Sequence, residues 1–348
     1  MIKNFKNKKV LIMGLGLYSK GSGISAARFF VKQGARVTVT DLKKRRELTS
    51  SIKLLKDLKI RYVLGKHSVK DFKEADLIIK NPAVRKESKY LKISKEWGIQ
   101  VETDVSMFFK LCPADVKIIG VTGTRGKSTT CSLIYELCRG LERLQFNVFL
   151  GGNIQNSPLN FLEKLNKESL VVLELSSWML ESLQRKSPQI AVITNVMPDH
   201  LNTYKSMKEY IKAKALIFKY QNKDDVAVLN YDNKICREMG RGIKSRKIWF
   251  SLKRKSSKSK LLKFSKLLGE HNKYNVLAAI TVAKIFKISD KTIKSVLKKF
   301  KGIPSRLEFV REVGGVRYYN DTTATTPDAT LAGLRALKSK KIVLIAGG

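Results

Sequence analysis

Residues 121–130 read VTGTRGKSTT, and their types and spacing suit a bound phosphate chain. Gly123 and Gly126 let backbone N–H groups face phosphate oxygens, with Thr124 and Arg125 between them. Lys127 supplies a point charge, and Ser128 and Thr129 supply hydroxyls for phosphate and Mg²⁺. The commonest phosphate loop has its first glycine at the position of Val121; here that glycine falls at 123. GTPases, motors, kinases and ligases all use such loops, so other residues must decide.

Three further positions narrow the chemistry. Glu174 closes the apolar run VVLELSS, and open α/β sheets gather ligands at strand carboxyl ends. It suits a metal; capping of the next helix is the plainer alternative. A GTPase site would favour Asp there, and no NKxD motif is present. His200 follows QIAVITNVMPD and is one of three histidines, with His67 and His271. Beside Asp199 it could ligate a metal, or it could be structural. Lys214 lies in MKEYIKAKALIF, within a stripe of Met207, Tyr210, Ile211, Ile217 and Phe218. Burying a bare ammonium is costly. Either the chain snorkels to water, or the lysine works near phosphates, or its amine has captured CO₂ as an anionic carbamate fit for a second Mg²⁺.

A second glycine-rich stretch, GLGLYSKGSG at 14–23, is a weaker signal. Gly14 and Gly16 fit a dinucleotide fingerprint, but Ser19 stands at its third position. Asp41 ends the next strand, where it could meet a ribose or base edge. A tight β–α turn without a ligand accounts for the loop equally well.

The elements that must hold these residues alternate. Strands are expected at 8–16, 36–41, 75–84, 116–123, 169–177 and 189–200. Helices are expected at 23–34, from Lys127, at 207–219 and at 269–286. The pattern is α/β with parallel sheets: a Rossmann-like N-terminal domain, then a P-loop ATPase-type domain beginning near 112. Residues 301–310 read as a linker, 316–337 as strand, Thr-rich turn and helix, and 340–348 as a further strand.

Composition sets outer bounds. The 348 residues are 43% apolar, with no run long enough for a membrane span. Cys112, Cys131, Cys138 and Cys236 form no CxxC pair, and are expected reduced and structural. The net charge of +40 raises nucleic acid as a partner, but the basic residues are spread through the chain. The densest run, 241–260, reads as a solvated hairpin or loop.

Taken in order, GTRGKSTT, GGNI (151–154), LELSS, TNVMPDHL, AKALIF, GEHNKYN, SRLE and NDTTATTPDAT resemble the Mur ligase family across essentially the whole chain. The resemblance implies ATP-dependent amide formation in peptidoglycan synthesis through an acyl phosphate. Its implied substrates are UDP-N-acetylmuramoyl-L-alanine and D-glutamate, in a cytoplasmic monomer with no nucleic-acid or membrane partner. It implies three domains: 1–111 for the UDP-substrate, 112–301 for ATP, and 302–348 as the start of a Rossmann-like domain for the amino acid.

By the same resemblance, Lys127 holds the β- and γ-phosphates. Ser128 or Thr129, with Glu174, holds one Mg²⁺, and His200 with a carbamylated Lys214 serves a second. Asn153 meets the reacting end of the substrate or the γ-phosphate. Asn272 and Asn275 approach adenine, Asp321 the ribose, and Arg306 the phosphates. Leu15, Gly16, Leu17, Tyr18, Asp41 and Asn81 hold the UDP moiety.

The sequence departs from the family at several points. Arg125 replaces a frequent Asn or Lys. Met179 stands where many members carry Gln, and Thr323 where some carry a functional lysine. The third domain stops about a domain short, by roughly 100 residues. The expectation is a truncated product that binds the sugar nucleotide but turns over poorly or not at all. Two alternatives stay open: another Mur-type ligase with a different amino acid, and a nucleic-acid-stimulated P-loop ATPase. An NAD-linked oxidoreductase would rest on the broken fingerprint at 14–23 alone.

Overall fold

The computed structural model describes residues 4–85, 87–140, 146–184, 186–199, 203–337 and 341–347. The chain opens with β1 (Lys9–Met13), α1 (Ser22–Lys32), β2 (Arg36–Asp41), α2 (Thr49–Lys53), β3 (Ile60–Leu64), α3 (Val69–Glu74) and β4 (Leu77–Lys80). It continues with α4 (Lys89–Glu96), β5 (Gln100–Glu102), α5 (Asp104–Leu111), β6 (Lys117–Thr122), α6 (Lys127–Arg139), β7 (Asn147–Gly152) and β8 (Ser169–Glu174). Next come α7 (Ser177–Leu180), β9 (Ile190–Ile193), α8 (Met207–Ala215), β10 (Val226–Asn230), α9 (Lys234–Arg241) and β11 (Arg246–Phe250). The last elements are α10 (Glu270–Ile285), α11 (Asp290–Lys299), β12 (Glu308–Val313), β13 (Val316–Asn320) and α12 (Pro327–Leu337).

Contacts divide the chain into two compact units. The first comprises Met1–Thr122, Phe149–Ala191 and His200–Asn222; the second comprises Gly123–Val148, Val192–Asp199 and Lys223–Gly348.

In the first unit, β1 to β5 form a parallel sheet in the order β3-β2-β1-β4-β5. Val10, Leu11, Ile12 and Met13 of β1 are all buried, as expected of a parallel strand covered on both faces. Ile24, Phe29 and Phe30 supply the apolar stripe of α1. The strand order reverses between β1 and its neighbours β2 and β4. The loops after β1 and β4 therefore flank a topological switch point, the crevice where open α/β sheets bind ligands. In the same unit β6 pairs in parallel with β8, placing Val121 opposite Glu174. Every residue of β8 is buried.

His67 packs edge-on against Phe72 and Tyr90, and its Nδ1 lies 2.7 Å from Thr40 Oγ1. Burial pushes its pKa below the ordinary 6.5, with Asp41 opposing. The neutral ring is thus the form that the fold favours. Its contribution is present above the unfolded value and is lost as pH falls through the folded one. Acid titration from about pH 7 to about 5 should therefore lower the Tm, and His67→Gln should flatten that slope.

In the second unit, α6 packs on α10 and α11. The middle of α10, Asn275–Ala283, is buried throughout. β10 and β11 are parallel neighbours, and β12 and β13 form an antiparallel hairpin with an irregularity at Phe309/Arg311.

Three expectations need correction. Residues 241–260 do not form a hairpin: β11 runs parallel to β10, and a 3-10 helix begins at Lys258. The stretch 301–310 is not wholly linker, since β12 begins at Glu308. Residues 341–347 form no strand; Val343 and Ile345 are exposed, and an apolar run without a partner strand has no ladder to complete. The four cysteines are buried and form no disulfide with one another, with burial pushing Cys112 up to about 11 and Cys138 up to about 12. Among the described residues no helix is long and apolar enough to cross a membrane.

Candidate active site

The phosphate loop is built on left-handed glycines. Gly123 has φ +153° and Gly126 has φ +82°. A Cβ on Gly126 would lie 2.0 Å from Asn275 Oδ1, so the side chain of α10 fills the space a larger residue would need. The loop is also pinned from behind. Arg125 N–H donates to Asn195 Oδ1 at 3.0 Å, and Arg125 O accepts from Thr194 Oγ1 at 2.6 Å and Asn195 Nδ2 at 3.0 Å. No side-chain hydrogen bond caps the start of α6, which leaves its N-terminal dipole for an anion. Lys127 Nζ donates to the carbonyls of Gly123 at 3.2 Å and Thr124 at 2.9 Å.

Gly126→Ala should therefore meet both backbone strain of about 1–3 kcal/mol and a collision with Asn275. A loss of ATP affinity of at least about tenfold is expected by calorimetry, with a lower Tm.

Other predicted nucleotide residues lie in the same unit. Asn275 Nδ2 donates to Asn272 Oδ1 at 3.0 Å. Asp321 Oδ1 accepts from Leu307 N–H at 2.8 Å. His271, which sequence reasoning gave no role, is influenced by two of them. Burial holds its pKa low, the Asp321 charge pulls it up and Arg306 pushes it down. Arg125 reaches α12, donating to Thr326 Oγ1 at 2.9 Å with Asp328 at 3.7 Å.

In the first unit, Asn153 and Glu174 are joined. Asn153 Nδ2 donates to Glu174 Oε1 at 2.8 Å, and Asn153 N–H donates to the Glu174 carbonyl at 2.9 Å. Glu174 is 1% exposed, and its Oε2 has no hydrogen-bond partner. A buried carboxylate oxygen left in this way suits a cation. Lys214 is 2% exposed, with Nζ 4.5 Å from the centroid of the Tyr210 ring, so the expected burial holds. His200 lies outside the described residues.

A cavity of about 320 Å³ opens at the switch point. Leu15, Gly16 and Tyr18 line it from the loop after β1, and Asn81, Pro82 and Ala83 from the loop after β4. Gly152, Asn153, Trp178 and Met179 line it from the central segments. Two of the predicted substrate residues lie outside its lining. Leu17 is 56% exposed. Asp41 instead holds the loop, its Oδ2 accepting from Leu15 N–H at 2.8 Å and its Oδ1 from Lys43 N–H at 2.9 Å. Ser22, Asp104, Gln155 and Ser157 also line the cavity and were missed. Ser and Asp at helix starts look like caps in sequence, and nothing local marks them as cavity walls.

The family model for the Mur ligase middle domain matches residues 121–283, and that for the Mur ligase MurD-like N-terminal domain matches 8–103. The chain is 41% identical to the UDP-N-acetylmuramoylalanine–D-glutamate ligase of Borreliella afzelii, over 100% of this chain and 78% of that protein. The chain belongs to the Mur ligase family.

Identity to the ligase of the same name from Acetivibrio thermocellus is 38%, covering 99% of this Mur ligase and 76% of the relative. Among solved structures, the UDP-N-acetylmuramate-alanine ligase of Thermotoga maritima superposes with a TM-score of 0.61 at 21% identity. That match covers 95% of this chain and 78% of the other, and speaks for the multi-domain α/β fold.

Proposed function

We propose that this Mur ligase joins D-glutamate to UDP-N-acetylmuramoyl-L-alanine, using ATP. The observation that carries the reading is Asn153. It lines the switch-point cavity and is also hydrogen-bonded to the buried Glu174, so one residue links a pocket suited to a sugar nucleotide with a carboxylate suited to Mg²⁺.

The glycine loop after β1, fixed by Asp41, receives the UDP end, and Asn153 orients the terminal carboxylate of the alanine. A carboxylate oxygen attacks the γ-phosphorus of ATP, the bond to the β-phosphate oxygen breaks, and ADP leaves. The D-glutamate amine then attacks the acyl carbon; phosphate departs, and the amine gives up a proton as the amide forms. The protein's work is positioning and charge neutralisation. The amides of 123–129 and Lys127 hold the phosphate chain, Asn272 and Asn275 the adenine, Asp321 the ribose, and Arg306 the phosphates. Ser128 or Thr129, Glu174, His200 and a carbamylated Lys214 would hold Mg²⁺, which when bound neutralises phosphate charge.

We assign 1–111 to the UDP-substrate, 112–301 to ATP and 302–348 to the amino-acid domain, in a cytoplasmic monomer. Calorimetry should register binding of UDP-N-acetylmuramoyl-L-alanine by the 348-residue chain, weakened by Asn153→Ala. ATP hydrolysis stimulated by RNA or DNA without the sugar nucleotide would contradict the reading.

A further inference from the structure

Asp104 is 2% exposed, yet it lines the switch-point cavity. Its Oδ1 has no partner at close hydrogen-bond distance, nor has the Oγ of Ser22 in the same wall, although the Ser22 and Ser157 hydroxyls face this carboxyl. Helix capping does not account for this carboxyl. Thr103 already caps α5, its side chain accepting from Ser106 N–H at 3.1 Å while Ser106 Oγ accepts from Thr103 N–H at 2.8 Å. Burial raises the pKa of Asp104, and the hydroxyls of Ser157 and Ser22 and the N–H groups of Val105 and Asp104 oppose the rise. A buried acceptor oxygen that its neighbours leave without a close bond costs stability, so its retention at a cavity wall points to a further donor that arrives from outside.

The chemistry of that partner follows from charge. A diphosphate set against Asp104 would force two anions together out of water. The start of α1 at Gly21 and Ser22, which no side chain caps, is the better place for phosphate. A hydroxyl or amide N–H supplies what Asp104 lacks.

We propose that Asp104 is a substrate-positioning residue that accepts a hydrogen bond from a hydroxyl or amide N–H on the sugar–alanine part of the bound nucleotide. The inference rests on reading the cavity as the sugar-nucleotide pocket. Its test compares two ligands on the 348-residue chain by calorimetry: UDP, which lacks the sugar, and UDP-N-acetylmuramoyl-L-alanine. Asp104→Ala should weaken the sugar nucleotide at least about tenfold and leave UDP within about twofold. Asp104→Asn keeps the shape with a weaker acceptor, and should show the same split at about three- to fivefold. If the alanine variant does not fold, the asparagine variant decides. Equal weakening of both ligands, or of neither, would overturn the assignment. If the unaltered chain binds neither ligand, the pocket reading itself fails, and the role of Asp104 with it.

Discussion

Lys127→Ala should lower ligation at least about a thousandfold and leave the Tm close to that of the parent chain. The two parts of this expectation have different causes. The Nζ bonds go to the carbonyls of Gly123 and Thr124 within the loop's own turn, and Lys127 itself is only half-buried. The loop shape depends instead on Gly123, Gly126 and the contacts of Thr194 and Asn195, which the substitution leaves in place. The transferring phosphoryl group has no such replacement for a lost cation. A thousandfold is about 4 kcal/mol of transition-state stabilisation, the order expected for one preorganised charge in a water-poor site. Steady-state kinetics with a thermal melt would check it. A fall of less than tenfold would remove Lys127 from the phosphate site.

The second large effect concerns Lys214. Burying an ammonium is costly, and Lys214 is 2% exposed on its helix, with the Tyr210 ring 4.5 Å from its Nζ. A carbamate would turn the position into an anion able to ligate Mg²⁺. Lys214→Ala should then cost about two to three orders of magnitude in turnover, and a short-chain carboxylate such as acetate should restore part of it. Addition of ¹³C-bicarbonate should give a carbamate resonance in the parent chain and none in the variant. Unchanged activity, or a loss that no carboxylate repairs together with no resonance, would rule the carbamate out.

Much of this site was legible because its residues break local rules. A lysine within an apolar stripe and glycines at both ends of a phosphate loop stand out in sequence, and Lys214, Gly123 and Gly126 occupy the expected settings. Asp104 was hidden for the opposite reason: TDVS is an ordinary helix start, and its burial arises from distant segments meeting at Ser22 and Ser157. Asp41 ends its strand as expected, but its hydrogen bond from Leu15 N–H, which fixes the loop, is set by the fold and has no mark in the sequence. Residues 341–347 have the composition of a strand, but strand formation needs a neighbour, which composition cannot report. Likewise β11 lies inside a run whose lysines and arginines dominate its pattern, while Phe250 turns into the core.

Activation of a carboxylate as an acyl phosphate is the step on which the proposed reaction depends. Its most direct test incubates the enzyme with ATP, D-glutamate and UDP-N-acetylmuramoyl-L-alanine labelled with ¹⁸O in the terminal carboxylate. Phosphate should be released in a D-glutamate-dependent reaction and carry one ¹⁸O from the substrate. Phosphate free of label, or ADP released as fast without the sugar nucleotide, would contradict it.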